Sequence, residues 1–259
     1  MTFFPLAAFN DNYIWITLDT AKKSIWAVDP GDAKVVLDYC HSQKVTLEGI
    51  LVTHHHKDHT GGIQELVQHF ECPVYGPESL APHLVSKPIR QGEEILVHGT
   101  AFLVLETPGH TLDHLCYFAE PSTSKQLLLC GDTLFRGGCG RLFEGSPAQM
   151  LSSMMKLRSL PPETLVYGTH EYTLSNYRFA LAIDPNNSAL IEADKTATAL
   201  RDNETPTLPS TIALEQQTNP FMRFDREEVV AGAAALLNEP MAMDTINSFA
   251  QIRRAKDGF

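Results

Sequence analysis

The chain has 259 residues, 43% of them hydrophobic and 20% charged, with a formal net charge of −11. That composition belongs to a globular chain, and its acidity excludes a general nucleic-acid binder. No run is long and apolar enough for a membrane span, and the cysteines (Cys40, Cys72, Cys116, Cys130, Cys139), with no C-x-x-C pair among them, read as reduced thiols of the cytoplasm.

From the N-terminus, Phe3, Phe4 and Leu6 are apolar, but Lys22 is the first basic side chain, so neither a secretory leader nor an Arg-rich presequence is expected. Residues 13–16 and 24–28 read as strands, the second ending in the turn Asp29-Pro30-Gly31. Residues 33–43 suit a helix with Val36 and Cys40 inward. The apolar run 49–52 reads as a buried strand, and Ile63, Leu66, Val67 and Phe70 have the spacing of a helix with one buried face. Between those two elements lies Thr53-His54-His55-His56-Lys57-Asp58-His59-Thr60-Gly61-Gly62, on a strand-to-helix loop.

Side chains two apart in extended backbone point to one side, so His54 and His56 can share an ion. Asp58 and His59 follow and suit a second ion beside it, while His55 faces away. Imidazole with carboxylate favours zinc, iron or manganese over magnesium or calcium.

Further on, residues 73–75 form a short strand, and 95–97 with 101–106 read as a hairpin around His98-Gly99-Thr100. Residues 114–118 and 126–130 are two more strands. Residues 147–159 suit a helix capped by Ser146, with Pro147 in its first turn, and 164–167 is a last strand. These strands run into Thr107-Pro108-Gly109-His110, Gly131-Asp132-Thr133 and Gly168-Thr169-His170, so a metal-competent side chain repeatedly follows a strand end. Beyond His170 strand signals are scarce. Helical spacing covers 171–183, 188–202 (capped by Ser188), 225–238 and about 241–254, joined by Pro-containing segments near 206–220. The expected organisation is a mixed-sheet catalytic domain, 1–170, and a helical substrate-binding domain, 171–259. Cys139 in Gly-Gly-Cys-Gly reads as a small buried residue rather than a nucleophile. His41, His69, His83 and His98 read as surface or core residues, and His114 as a neighbour of the metal ligands or a core residue.

The set His54-x-His56-x-Asp58-His59, Gly109-His110-Thr111, Gly131-Asp132 and Gly168-Thr169-His170 resembles the metallo-β-lactamase superfamily. With Asp11-Asn12-Tyr13-x-Trp15, Gly168-Thr169-His170-Glu171-Tyr172-Thr173, Asn219-Pro220-Phe221-Met222-Arg223 and Arg253-Arg254-Ala255-Lys256-Asp257, it is similar to the hydroxyacylglutathione hydrolase (glyoxalase II) family from about residue 10 to the end. The resemblance implies an α/β fold, a four-layer αββα sandwich, followed by an all-helical C-terminal domain. It also implies two divalent ions per chain, zinc foremost with iron or manganese as alternatives. His54, His56 and His110 would hold one ion, Asp58, His59 and His170 the other, and Asp132 would bridge them.

Glutathione would meet Arg141, Phe143, Tyr172, Arg253 and Lys256, placed cations answering its carboxylates in an acidic chain. A solvated basic helix end is the competing reading of the 253–256 tail. Phe143 stands where the family often has tyrosine, and Asp113 where it commonly has glycine. The implied reaction is hydrolysis of S-(2-hydroxyacyl)glutathione, typified by S-D-lactoylglutathione, by a hydroxide bridging the two ions, with Asp58 orienting it. It would be the last step of methylglyoxal detoxification, carried out by a monomer with no nucleic-acid or membrane partner. The alternative within the superfamily is a mononuclear iron persulfide dioxygenase.

Overall fold

A computed structural model describes residues 1–121 and 125–259. By contacts the chain divides into two compact units, Met1–Glu106 with Asp113–Gly131, and Thr107–Leu112 with Asp132–Phe259. The boundaries of these contact units fall at 106/107, 112/113 and 131/132. Among the described residues no helix is long and apolar enough to cross a membrane.

In the first unit one sheet runs in the order β1 (Phe3–Ala8), β2 (Asn12–Asp19), β3 (Ser24–Val28), β4 (Thr46–Leu51), β5 (Val74–Gly76), β6 (Lys87–Pro88). The first three strands pair antiparallel and the rest parallel, as a buried sheet crossed by helices does. β1 was not among the expected strands, and it contains Pro5. It survives as the edge strand, where a missing N–H is tolerated. Helices α1 (Ala33–Gln43) and α3 (Ile63–Phe70) bury Val36, Cys40, Ile63 and Leu66 with Ile14, Ile16, Ile25 and Ile50 of this sheet. Each such side chain contributes about 1.5–3 kcal/mol on burial. The one-turn helix α2 (Lys57–Thr60) carries the end of the histidine loop.

A second sheet of the same unit is antiparallel, ordered β10 (Leu127–Gly131), β9 (Leu115–Ala119), β8 (Thr100–Glu106), β7 (Glu94–Val97). Its β7–β8 hairpin turns on His98 and Gly99, both at positive φ (46° and 79°), which matches the twist of the flanking strands. Phe102 meets Phe3 edge-on at 6.1 Å, and the Tyr117 hydroxyl donates to the Val52 carbonyl, so the sheets stack face to face.

The second unit opens on Thr107–Leu112 and resumes with the hairpin β11 (Leu134–Phe135) and β12 (Gly138–Cys139). Then come α4 (Pro147–Arg158), β13 (Leu165–Gly168), α5 (Thr173–Ile183), α6 (Ser188–Asp202), β14 (Ser210–Thr211), α7 (Ile212–Thr218), α8 (Glu227–Leu237) and α9 (Thr245–Asp257). Ser146 and Gln149 close a capping box on α4, as the sequence predicts. The α6 cap is Asn187, whose side chain accepts from Leu190 N, and not Ser188, the first helical residue. Helix α7 lies where a Pro-containing linker was expected; Thr211 caps it. The C-terminal helix begins after its cap Asp244 and runs through Arg253 to Asp257, so the basic residues lie inside it.

Candidate metal centre

The histidine loop leaves β4 without regular secondary structure, and His56, at φ −59° and ψ 145°, is the N-cap of α2. The His54 and His56 rings lie 4.7 Å apart, centroid to centroid, and the turn of α2 brings His59 within 4.1 Å of His54. His54 and His59 are buried. Asp58 Oδ2 lies 3.4 Å from His59 Nε2 and accepts from Asn12 Nδ2 at 3.1 Å. His55 turns to Asp113, whose carboxylate lies 3.0 Å from its Nδ1 and also takes the Ser79 hydroxyl at 2.6 Å. His114 is buried and stacks on His54 at 4.9 Å. These residues belong to the first unit.

The second unit holds a group of its own. Asp132 Oδ2 lies 3.4 Å from His110 Nε2 and 3.3 Å from His170 Nε2, and all three side chains are buried. Several anchors fix them. Gly145 N donates to Gly109 O, Phe143 N to His110 O, and Ser153 of α4 to Pro108 O. The hairpin that follows Asp132 is fastened by buried Asn219, whose Nδ2 donates to Phe135 O, Gly138 O and Glu215, and by Glu215 accepting Gly137 N at 2.8 Å. Burial raises the Glu215 pKa above the usual carboxylate range. His170 follows β13 and stacks on Tyr172 at 4.7 Å with the rings within 2° of parallel.

The donor chemistry of both groups fits a divalent ion. Atoms about 2.1 Å from one ion at tetrahedral angles lie about 3.4 Å apart. The Nε2-to-carboxylate separations of 3.3 to 3.4 Å match that spacing, and exceed the roughly 2.7–2.9 Å of a charge-assisted hydrogen bond. The Nδ1 atoms are occupied elsewhere: His59 by Asp29 at 3.0 Å, His110 by the Arg141 carbonyl at 2.8 Å, and His54 by the Thr53 hydroxyl at 3.0 Å. Such partners hold the tautomer that presents Nε2. Asp29, Thr53 and Asn12 were given no role from sequence. The turn signal at Asp29 is the sole hint of the first.

Of the expected substrate contacts, Phe143 is exposed at 62% and Tyr172 is more than one-third exposed. Arg253 is 6% exposed. Its guanidinium lies over Phe221, donates to Cys139 O at 3.2 Å and pairs with Asp257 at 2.8 Å. Arg141 reaches the same Asp257 at 3.3 Å and is otherwise solvated. Lys256 donates to Ser175 O; desolvation, with Arg253 and Arg178 nearby, lowers its pKa. Burial pushes the Cys139 thiol up to about 11, which suits a structural cysteine.

A mixed sheet stacked on an antiparallel one with flanking helices, and histidine and aspartate donors at strand ends, define a metallo-β-lactamase-type hydrolase with a divalent-metal centre; residues 41–170 match the metallo-beta-lactamase superfamily model. Residues 171–259 match the model described as hydroxyacylglutathione hydrolase C-terminus. A relative named hydroxyacylglutathione hydrolase, from Marinomonas sp. (strain MWYL1), is 58% identical over 259 residues, covering 100% of both chains. The chain belongs to the hydroxyacylglutathione hydrolase family. Among solved structures, ETHE1 from Myxococcus xanthus is 25% identical with a TM-score of 0.66, covering 97% of this chain and 100% of that one. TTHA1623 in a di-iron-bound form is 25% identical with a TM-score of 0.60, covering 84% of this chain and 99% of that one. The αββα fold expected from sequence is that of this superfamily.

Proposed function

We propose that the chain hydrolyses the thioester of S-(2-hydroxyacyl)glutathione, typified by S-D-lactoylglutathione, to glutathione and a 2-hydroxy acid, at a dinuclear centre formed by His54, His56, Asp58, His59, His110, Asp132 and His170. Full-length identity of 58% to a relative of that name carries the reading. The persulfide dioxygenase alternative is the weaker one, because residues 171–259 match the hydroxyacylglutathione hydrolase C-terminus model.

Divalent ions supply Lewis acidity and bring the pKa of water to about 7, so that hydroxide is available at neutral pH. The chain's own groups do the rest. Asn12 donates to Asp58 Oδ2 and so fixes the carboxylate that orients water for attack on the thioester carbonyl. Tyr172, braced against His170, offers its hydroxyl to the glutathione backbone, and exposed Phe143 offers an apolar face where a hydroxyl is absent. Lys256 and Arg141 meet the glutathione carboxylates. The neighbouring arginines that disfavour the Lys256 charge create the positive field an anion relieves. Arg253 supports that surface from beneath, gripped by Phe221, Cys139 and Asp257. Thiolate leaves readily, so no strong general acid is needed.

Zinc is the proposed metal, with iron the alternative that the di-iron form of TTHA1623 suggests. Residues 171–259 are proposed as the substrate-binding region, and the enzyme as a cytoplasmic monomer; the cysteines, all free and buried, suit a reducing compartment. The test is steady-state loss of the thioester absorbance with S-D-lactoylglutathione on purified, metal-loaded protein. Turnover near 1–10³ s⁻¹ is expected. Oxygen consumption on glutathione persulfide, with no hydrolysis, would replace the reading.

A further inference from the structure

The turn Asp29-Pro30-Gly31, which ends β3, lies against the histidine loop along its length. The Gly31 Cα approaches so closely that a Cβ there would sit 1.8 Å from the Asp58 carbonyl oxygen, and Gly62 N donates to Pro30 O at 3.0 Å. Asp29 is 2% exposed and held at φ 52° with its own N–H on Leu51 O at 2.9 Å. Its carboxylate faces the loop. Oδ1 accepts Thr53 N at 2.7 Å; Oδ2 accepts the Thr53 hydroxyl at 2.7 Å and lies 3.0 Å from His59 Nδ1.

A carboxylate only accepts, so the His59 proton must be on Nδ1. The Thr53 hydroxyl has one hydrogen and gives it to Asp29, so its remaining contact, 3.0 Å to His54 Nδ1, uses a lone pair and places the His54 proton on Nδ1 as well. One carboxylate therefore sets the tautomer of two imidazoles, one directly and one through a threonine, and turns both Nε2 atoms outward. We propose that Asp29 is a positioning residue for both ions of the centre, acting on His59 directly and on His54 through Thr53. The inference rests on the ligand assignment above, in which His54 and His59 serve different ions.

Asp29→Asn is the diagnostic change because it preserves shape and reverses polarity. Thr53 N–H demands an acceptor at the Oδ1 position, so the amide NH₂ must face the Thr53 hydroxyl and His59. It donates to both, the hydroxyl in turn donates to His54, and both rings are driven to the Nε2–H form that cannot ligate. Thr53→Val cuts the branch to His54 and leaves the His59 contact intact.

The experiment titrates chelator-stripped wild type and both variants with Zn²⁺ against a chromophoric chelator, repeats the titration with Co²⁺ to read its visible spectrum, and compares the apo proteins by circular dichroism and melting. Wild type should take up two ions. Asp29→Asn should bind both about 10–100-fold more weakly, with an altered Co²⁺ spectrum, and Thr53→Val only one of them, with apo spectra like wild type. Affinities unchanged in either variant would overturn the proposal, as would an apo Asp29→Asn protein that has lost the wild-type spectrum. Wild type that binds no ion would instead bring down the ligand assignment itself.

Discussion

The two donor groups are built by different physics. In the first unit four donors fall within one loop, fixed by the strand before it, the helix after it and a turn laid along its side. In the second unit the donors are residues 110, 132 and 170, each following a separate strand, and nothing local relates them. A buried polar network does so instead: Asn219 and Glu215 clamp the hairpin after Asp132, and Ser153 and Gly145 clamp the loop of His110. A loop group is held by its flanking elements and one adjoining turn, whereas an assembled group depends on residues scattered along the chain.

The largest expected effect breaks the assembled group at its middle. Asp132→Ala removes the carboxylate lying between His110 and His170, and kcat/KM should fall about 10³-fold or more, some 4 kcal/mol of transition-state stabilisation. His55→Ala in the loop, which removes the ring whose Nδ1 meets Asp113, should cost less than tenfold. If the two variants were equally impaired, the division of labour drawn here would fail.

An intermediate effect concerns the substrate capture proposed for α9. Lys256→Ala should raise KM about tenfold, worth about 1.4 kcal/mol, with kcat little changed. A lowered kcat at constant KM would place Lys256 with the chemistry. Arg253 serves that comparison poorly, because its burial against Phe221 and Cys139 makes any replacement a stability variant first.

The smallest effect probes the network itself. Burial raises the folded-state pKa of Glu215, so its contribution to stability is fully present below the unfolded value of about 4.5 and is lost as pH rises through the folded value. Glu215→Gln keeps shape and acceptor but carries no charge. Its melting temperature relative to wild type should therefore rise between pH 4 and pH 7, by about 2–4 °C for each kcal/mol relieved. A difference independent of pH would show that Glu215 carries no such strain.

The same contrast governs what could be read from sequence. The loop donors were legible because spacing and flanking periodicity act over a few residues, and the capping box at Ser146 is equally local. His110, Asp132 and His170 were legible as strand ends, but their grouping came only through family resemblance. Strand β1 was hidden by Pro5, and α7, seven residues long, by the prolines around it. Asp29 was visible only as a turn, because which atoms a carboxylate touches across 24 and 30 residues of chain leaves no periodic trace. Arg253 was expected to meet glutathione, with a solvated helix end as the competing reading, and nothing in the sequence pointed to the ring and carbonyl that receive it.

The central claim is that the loop donors and the assembled donors serve one pair of ions. Anomalous diffraction from crystals of the metal-loaded protein tests it most directly. Two peaks about 3.5–4 Å apart are expected, each about 2.0–2.3 Å from donors of both groups, with Asp132 shared. Ions bound by His54, His56 and His59 alone, with Asp132 and His170 bound to neither, would contradict it.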